Sequence, residues 1–332
     1  MGIVSITSKI GVPKYKQIIS SIENAIHTGV LKKGDRLPSL NSIRNQHSLS
    51  RDTVLVAFNE LKNRGIIQSV VGKGYYVISE DINVNQKIFL LFDEFNSFKE
   101  DLYNSFKAGL RVNTKIDIFF HHFNGRMFDT LIRDNVGDYS HYVIMPANLK
   151  RVELSIRRLP SEKVYILDQT RETLSNYPSV HQDFKKNIYS GLLEALPLVN
   201  KYDELVLLFS DKKQPDNIIE GFKSFCFDYD KPYEIVDNVG IRSLKKGEVY
   251  LILDDRDLIQ IIKKMKESDL ELAKDIGIIS YNDTLLKEIV EDGITTISTD
   301  FKEMGTCLAN MIVNNERKTI ENKNQLIIRK SL

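Results

Sequence analysis

The chain contains no tryptophan, and its 332 residues include only two cysteines, Cys226 and Cys307. Two cysteines so far apart suggest buried small hydrophobes in a reducing compartment rather than a disulfide framework. No stretch approaches the roughly 18–20 consecutive apolar residues that span a bilayer. The opening residues, Met1-Gly2-Ile3-Val4-Ser5, lack the basic segment and apolar run of a signal peptide, so a cytoplasmic location is expected. Without tryptophan, any stacking on a sugar ring falls to phenylalanine or tyrosine. Catalytic signatures are missing too. There is no Gly-x-x-x-x-Gly-Lys-Ser/Thr loop, and no Gly-x-Gly-x-x-Gly follows the apolar run at 88–92. No cysteine or serine sits in a nucleophile motif. His121-His122 is the one histidine pair, and neighbours on a strand face opposite sides, a poor start for a metal site. An enzyme is not expected, nor any cofactor or metal.

Hydrophobic residues make up 42% and charged residues 27%, ordinary for soluble globular protein, and the length suggests two domains. A net charge of +1 hides an asymmetry. Residues 1–79 carry 11 Lys/Arg against 4 Asp/Glu, and the remainder 35 against 41. A basic end on an acidic body points to one polyanion-binding module and one that is not.

Tyr15, Ile18, Ile19, Ile22 and Ile26 recur at helical spacing, and Gly29 closes that helix. Residues 31–37 read as a turn-rich connector. Ser39 is a candidate N-cap for a helix over 40–47, and Ser50 for a second helix to about residue 64, with Val54, Ala57, Phe58 and Leu61 on one face. Two short strands follow around Gly72-Lys73-Gly74. Two helices, a turn and a hairpin make a winged helix-turn-helix, whose second helix presents its N-terminus to base edges in the major groove. That N-terminus carries Ser50, Arg51, Asp52 and Thr53. Arg51 can pair bidentately with a guanine or a phosphate, and Ser50 and Thr53 can donate to phosphate oxygens. Lys73 at the wing tip and Arg36 are further phosphate candidates, and Gly74 lets backbone approach the duplex. Asp52 also suits the positive end of the helix dipole.

These blocks resemble the GntR family of bacterial transcription regulators. The resemblance runs from Pro13-Lys14-Tyr15-Lys16-Gln17-Ile18 through Gly34-Asp35-Arg36-Leu37-Pro38-Ser39 and Ser50-Arg51-Asp52-Thr53-Val54 to Gly72-Lys73-Gly74-Tyr75-Tyr76-Val77. It implies DNA contacts at Arg36, Arg51, Thr53 and Gly74. Leu55 stands where many members have arginine, and Asp52 replaces a commonly small or hydroxyl residue, so the operator is this chain's own.

Residues 80–87 are polar and aperiodic and are expected to link a head (1–79) to a larger domain (88–332). In that domain short apolar runs, such as 88–92, 116–120, 142–145, 164–167, 205–209, 249–253 and 276–279, alternate with amphipathic helical stretches. This predicts an open, mainly parallel sheet with helices on both faces, in an α/β domain long enough for two lobes. Ligands on such sheets bind beyond the strand C-termini. Those ends carry Asp93-Glu94, Asp168, Asp254-Asp255 and Asp283, with Phe98 close behind the first. Carboxylates there can hold paired hydroxyls, and Phe98 can cover an apolar sugar face. The plainer reading makes each aspartate a helix cap.

The order of segments is similar to the LacI-type sensor, a two-lobed fold of the type I periplasmic-binding-protein kind. Val164-Tyr165-Ile166-Leu167-Asp168 resembles its crossing segment, Val180-His181-Gln182-Asp183 the start of its second lobe, and Glu220-Gly221-Phe222 its Gly-Phe helix. Leu253-Asp254-Asp255, the segments 276–283 and 295–300, and Met304-Gly305 follow in order. The resemblance aligns Asp255 with the aspartate that commonly holds ligand hydroxyls, and together with the strand-end residues and the motif aspartate the candidate effector contacts are Asp93, Glu94, Phe98, Asp168, Asp183, Asp255 and Asp283. Where that family usually has a ligand-clamping arginine this chain has Ile218, for which Lys212 or Lys213 can substitute. The combination resembles the arabinose-repressor branch of the GntR family. It implies a homodimeric repressor on double-stranded operator DNA, with no membrane partner. Its control would come from an arabinose- or fucose-like monosaccharide, or a derivative, bound between the sensor lobes. A non-sugar effector and a doubly wound α/β enzyme are the alternatives.

Overall fold

The computed structural model describes residues 3–7, 12–84, 86–210, 213–240 and 242–332. Asn85 of the expected linker and Lys212 lie outside the described residues. The chain opens with α1 (Lys14–His27), α2 (Leu40–His47) and α3 (Arg51–Asn63), then β1 (Ile67–Val70) and β2 (Gly74–Val77). Both expected N-caps form. Ser39 Oγ accepts from the Ser42 amide at 3.0 Å and Ser50 Oγ from the Thr53 amide at 3.1 Å, each satisfying a donor the helix leaves open. Between α2 and α3 the chain turns at Ser48, with φ 53°.

β1 and β2 pair antiparallel from Ile67↔Val77 to Val70↔Gly74. The segment read from sequence as a connector also joins this hairpin. The Leu37 amide donates to Tyr75 O at 2.8 Å and the Val77 amide to Asp35 O at 2.9 Å, with a bridge at Arg36↔Tyr76. Polar residues on a half-exposed edge gave no strand period to read. Ile18, Ile22, Val54, Phe58, Leu61, Ile66 and Val77 close one core beneath these elements, and Phe58 meets Tyr75 edge-on at 4.8 Å.

The larger domain continues with β3 (Gln86–Phe92), α4 (Ser97–Gly109), β4 (Thr114–Phe120), α5 (Gly125–Asp134), β5 (His141–Ile144), α6 (Val152–Ile156), β6 (Val164–Asp168), β7 (Ser179–His181) and α7 (Phe184–Val199). Then come β8 (Glu204–Leu208), α8 (Asn217–Asp228), β9 (Tyr233–Val236), β10 (Glu248–Ile252), α9 (Asp255–Lys266), β11 (Gly277–Tyr281), α10 (Leu285–Ile289), β12 (Thr295–Thr299), α11 (Phe301–Val313), β13 (Thr319–Glu321) and β14 (Asn324–Ile327). Two six-stranded sheets result, ordered β13-β7-β6-β5-β3-β4 and β14-β12-β11-β10-β8-β9. The pairs β3–β4, β3–β5, β6–β7, β8–β9, β8–β10, β10–β11 and β11–β12 are parallel, while β14 runs antiparallel to β12. The expected α/β architecture is present.

The chain divides into two compact units. The first holds residues 1–92, 111–144 and 151–165, and the second 93–110, 145–150 and 166–332. In the second, the strand runs are apolar on both faces. Leu205, Leu207, Val249, Leu251 and Ile279 pack under α7 and α8, whereas Val206, Leu208, Tyr250, Ile252 and Ile278 pack with α9. This is the pattern a helix-covered parallel sheet needs. Two glycines of the sequence motifs are required by close approach. A Cβ on Gly305 would stand 2.2 Å from Ser105 Oγ and 2.3 Å from Leu102 O, where α11 crosses α4; one on Gly221 would stand 2.3 Å from Lys185 O.

Candidate nucleic-acid interface and ligand cluster

α3 begins at an exposed end. Arg51 and Asp52 are exposed in its first turn, and Thr53 is half-buried. Ser50 Oγ and Thr53 Oγ1 lie 2.8 Å apart. One of the two hydroxyl protons is spent between them, which leaves one to donate outward. Ser39 caps α2 as an acceptor and keeps its own proton. Arg36, Arg51 and Lys73 are exposed, and their side chains have no hydrogen bond or ion pair among the described residues. Gly74 has φ 109°, and a Cβ there would stand 3.4 Å from Arg36 Nε, so the Arg36 guanidinium lies along the wing. Lys62 and Arg64, at the far end of α3, are paired inward with Asp138 at 3.0 Å and Glu23 at 2.6 Å. The uncommitted cations of the head thus include those at the N-terminus of α3 and the wing. Such groups can neutralise phosphates and read a base edge.

The seven candidate effector residues all fall in the second unit. They form two groups. In the first, Asp93 and Lys99 make a buried ion pair, and Lys99 and Asp93 both act electrostatically on Asp168. Gln182 Nε2 donates to Asp168 Oδ1 at 2.6 Å, while Gln182 Oε1 accepts from Tyr281 OH at 3.1 Å and Thr299 Oγ1 at 2.5 Å. Burial raises the Asp168 carboxyl from 3.8 to about 6; Asp93 pushes the same way, and Lys99 and Gln182 oppose. Glu94 pairs with Lys213 at 2.7 Å, and Phe98 stacks on Phe301 at 4.7 Å.

In the second group Asp255 pairs with the buried Lys287 at 2.9 Å, and Lys287 also donates to the carbonyls of Tyr281 and Asn282. Burial lowers the Lys287 pKa, against the pull of Asp255. Arg329 grips both oxygens of Asp283 at 2.7 Å, and Thr296 donates to the same carboxylate. Burial works to raise the Asp283 pKa, but Arg329 and Thr296 outweigh it and leave it below the usual value. Asp183 caps α7, accepting from the Lys186 amide at 3.0 Å, and Asp254 caps α9. The cap reading therefore accounts for these two, and Asp93, Asp168, Asp255 and Asp283 are held in other ways.

Sequence reasoning missed the partners. The sequence shows Gln182 only as part of a motif, and no local signal marks Lys99, Lys287 or Arg329 as a partner. Lys287 and Arg329 both lie far along the chain from the carboxylates they hold, Asp255 and Asp283, so nothing local announces either. The histidine pair also differs from its reading. β4 ends at Phe120, and His122 takes φ 49° beyond it, so the two are not strand neighbours. Among the described residues no group of three or more His, Cys, Asp and Glu is placed to hold a metal. Burial pushes the Cys226 thiol up to about 12. No helix of the described residues is long and apolar enough to cross a membrane.

Residues 14–77 match the family described as bacterial regulatory proteins, gntR family. The chain is 31% identical over 99 residues to the HTH-type transcriptional repressor YtrA of Bacillus subtilis, covering 30% of this chain and 72% of that one. The chain belongs to the GntR family. It is also 37% identical over 82 residues to the mannosyl-D-glycerate transport/metabolism system repressor MngR of Escherichia coli, and 37% identical over 65 residues to the arabinose metabolism transcriptional repressor of Geobacillus stearothermophilus. Those matches take in 25% and 20% of this GntR chain, and span about a third (34%) and under a fifth (18%) of the relatives. Beyond the GntR head, the fold is that of LacI-type sensors. A LacI family regulator from Silicibacter pomeroyi superposes with a TM-score of 0.63 at 12% identity, covering 74% of this chain and 98% of that one. One from Enterococcus faecium with bound ribose gives 0.60 at 18%, covering 74% and 98%.

Proposed function

We propose that the chain is a homodimeric, ligand-responsive repressor that binds operator DNA of a carbohydrate-utilisation operon. The observation that carries this is the set of unpaired cations, Arg36, Arg51 and Lys73, around the exposed start of α3 in a GntR head. Dimerisation follows from reach, since one such head covers a half-site. The names of the relatives, two repressors of sugar-related metabolism among them, support carbohydrate control. The effector is an arabinose- or fucose-like sugar, or a derivative, taken at the strand ends of the second unit.

Within that cluster Asp168 is the ligand carboxyl. Asp255 and Asp283 already hold Lys287 and Arg329, and a neutral hydroxyl cannot replace a cation without leaving charge uncompensated. Asp168 is held by an amide and has acceptor capacity left. An effector that favours one sensor conformation shifts DNA affinity by its differential binding to the two states.

Selection of duplexes from a random pool by the full chain tests the DNA assignment. Enrichment of a two-half-site sequence is expected, lost in Arg51→Glu; no enrichment, or unchanged binding by Arg51→Glu, overturns it. A thermal-shift screen with a sugar panel tests the effector. Stabilisation by a pentose or deoxyhexose, absent in Asp168→Ala, is expected; stabilisation only by nucleobases or amino acids overturns the sugar.

A further inference from the structure

Arg64 follows the last residue of α3 and is 9% exposed. Its Nε donates to Val84 O and its Nη2 to Ile82 O, both at 2.8 Å, and Nη2 meets Glu23 of α1 at 2.6 Å. Its guanidinium therefore ties three things together: the end of the reading helix, the first helix, and two alternate carbonyls of the segment leaving the head. That segment is not free chain. Ile82 packs on the head core and Val84 is 9% exposed.

The same end of α3 rests on the first sensor strands. Lys62 pairs with Asp138 at 3.0 Å. Ser140 Oγ donates to Asn63 O at 3.2 Å, accepts from the Lys87 amide at 3.2 Å, and the Ser140 amide donates to Lys87 O at 2.8 Å. Gly65, at φ 70°, lets Lys87 pass so closely that a Cβ there would stand 2.7 Å from Lys87 Cδ. Lys87 itself is fixed by Asp117 at 3.0 Å and lies over the Tyr139 ring. All of these residues belong to the first unit, and their contacts join the head to the N-terminal ends of β3 and β5.

We propose that Arg64 and the Lys62–Asp138–Ser140 contact make the head a rigid arm of the first sensor strands, so that Arg64 is a positioning residue for DNA reading. On this mechanism residues 80–84, which leave the head, neither melt nor fold when the regulator switches. Movement of those strands carries α3 with it, and control is exerted on the spacing of paired heads. The proposal rests on the DNA-reading function above, and it adds the route by which a signal reaches α3.

Two measurements on the full chain test it. In a Cys307→Ser background, spin labels at Ser69→Cys on the wing and Arg126→Cys on α5, diluted with excess unlabelled chain so that only distances within one chain are read, report the head-to-strand distance by double electron–electron resonance without DNA. One narrow distance is expected. Asp138→Lys, which sets two lysines against each other, should broaden it, and Lys62→Glu with Asp138→Lys should restore it. Arg64→Met should broaden it further; if that variant fails to fold, the charge-swap series decides. A broad distribution in the parent, or no broadening in any folded variant, overturns the proposal. Selected duplexes supply the second readout. The parent should return one half-site spacing, and Asp138→Lys the same half-site at several spacings. A single unchanged spacing in the variant overturns the rigid arm, whereas failure of the parent to enrich any duplex counts against DNA reading, and the distances still decide the arm.

Discussion

Three outward cations at the start of α3 and along the wing, Arg36, Arg51 and Lys73, have no side-chain partner among the described residues. If each displaces one condensed counterion, a dimer on its operator releases about six, and log affinity falls with log salt at a slope of about −5. Between 50 and 200 mM salt the affinity should therefore drop about a thousandfold. Lys73→Ala removes one contact per head, so the slope should become shallower by about 2, with a loss that is the same on any sequence. Arg51→Ala should behave differently, because a bidentate base contact is worth about 1–3 kcal/mol of discrimination per half-site and its loss relaxes sequence preference. Fluorescence anisotropy on a selected duplex and on a scrambled one, at three salt concentrations, separates the two. The reasoning fails if parent, Arg36→Ala and Lys73→Ala share one slope, or if Arg51→Ala weakens both duplexes equally.

Two further outcomes concern Asp168 and Gly305, with Gly125 as a control. The Asp168 pKa is raised in the fold from 3.8 to about 6. The protonated form is thus the favoured one, and its stabilising contribution is complete below about pH 4 and lost as pH rises through 6. Asp168→Asn, permanently neutral, should exceed the parent in stability by up to about 3 kcal/mol at pH 7.5 and match it near pH 4; a pH-independent gap in urea unfolding refutes this. At Gly305 a side chain meets Leu102 O, which cannot rotate away, so Gly305→Val should cost about 2–3 kcal/mol by overpacking. Gly125→Ala, with open space around its Cβ, should stay within about 0.5 kcal/mol in the same assay.

The parts of the fold legible in the sequence were those that burial makes unambiguous. β3, β8, β10 and β11 are covered on both faces, so they read as continuous apolar runs. The head was legible because caps, turn glycines and a single apolar face per helix agree locally. The strands that escaped are β7, β9, β13 and β14. β9, β13 and β14 are edges, half-exposed and mixed in composition, as in Glu234 of β9 or Thr319 and Glu321 of β13. β7 spans three residues, too few for a period. Pairing with a neighbour already in place defines such strands, and that is information no local window holds.

The candidate ligand cluster failed to be fully legible for a related reason. A sequence shows carboxylates, and it does not show what neutralises them. Asp283 is held by Arg329, 46 residues on, and Glu94 by Lys213, 119 residues on. Counting acids at strand ends therefore overstates the acidity of the site. Once partners are assigned, Asp255, Asp283, Asp93 and Glu94 each have a cation, Asp183 caps a helix, and Asp168 has an amide partner and a raised pKa. A half-buried carboxyl near its titration point is a poor structural device, because either protonation state costs something at neutral pH. It is a good acceptor for a hydroxyl that arrives with its own proton, and this distinguishes Asp168 from the six candidates beside it.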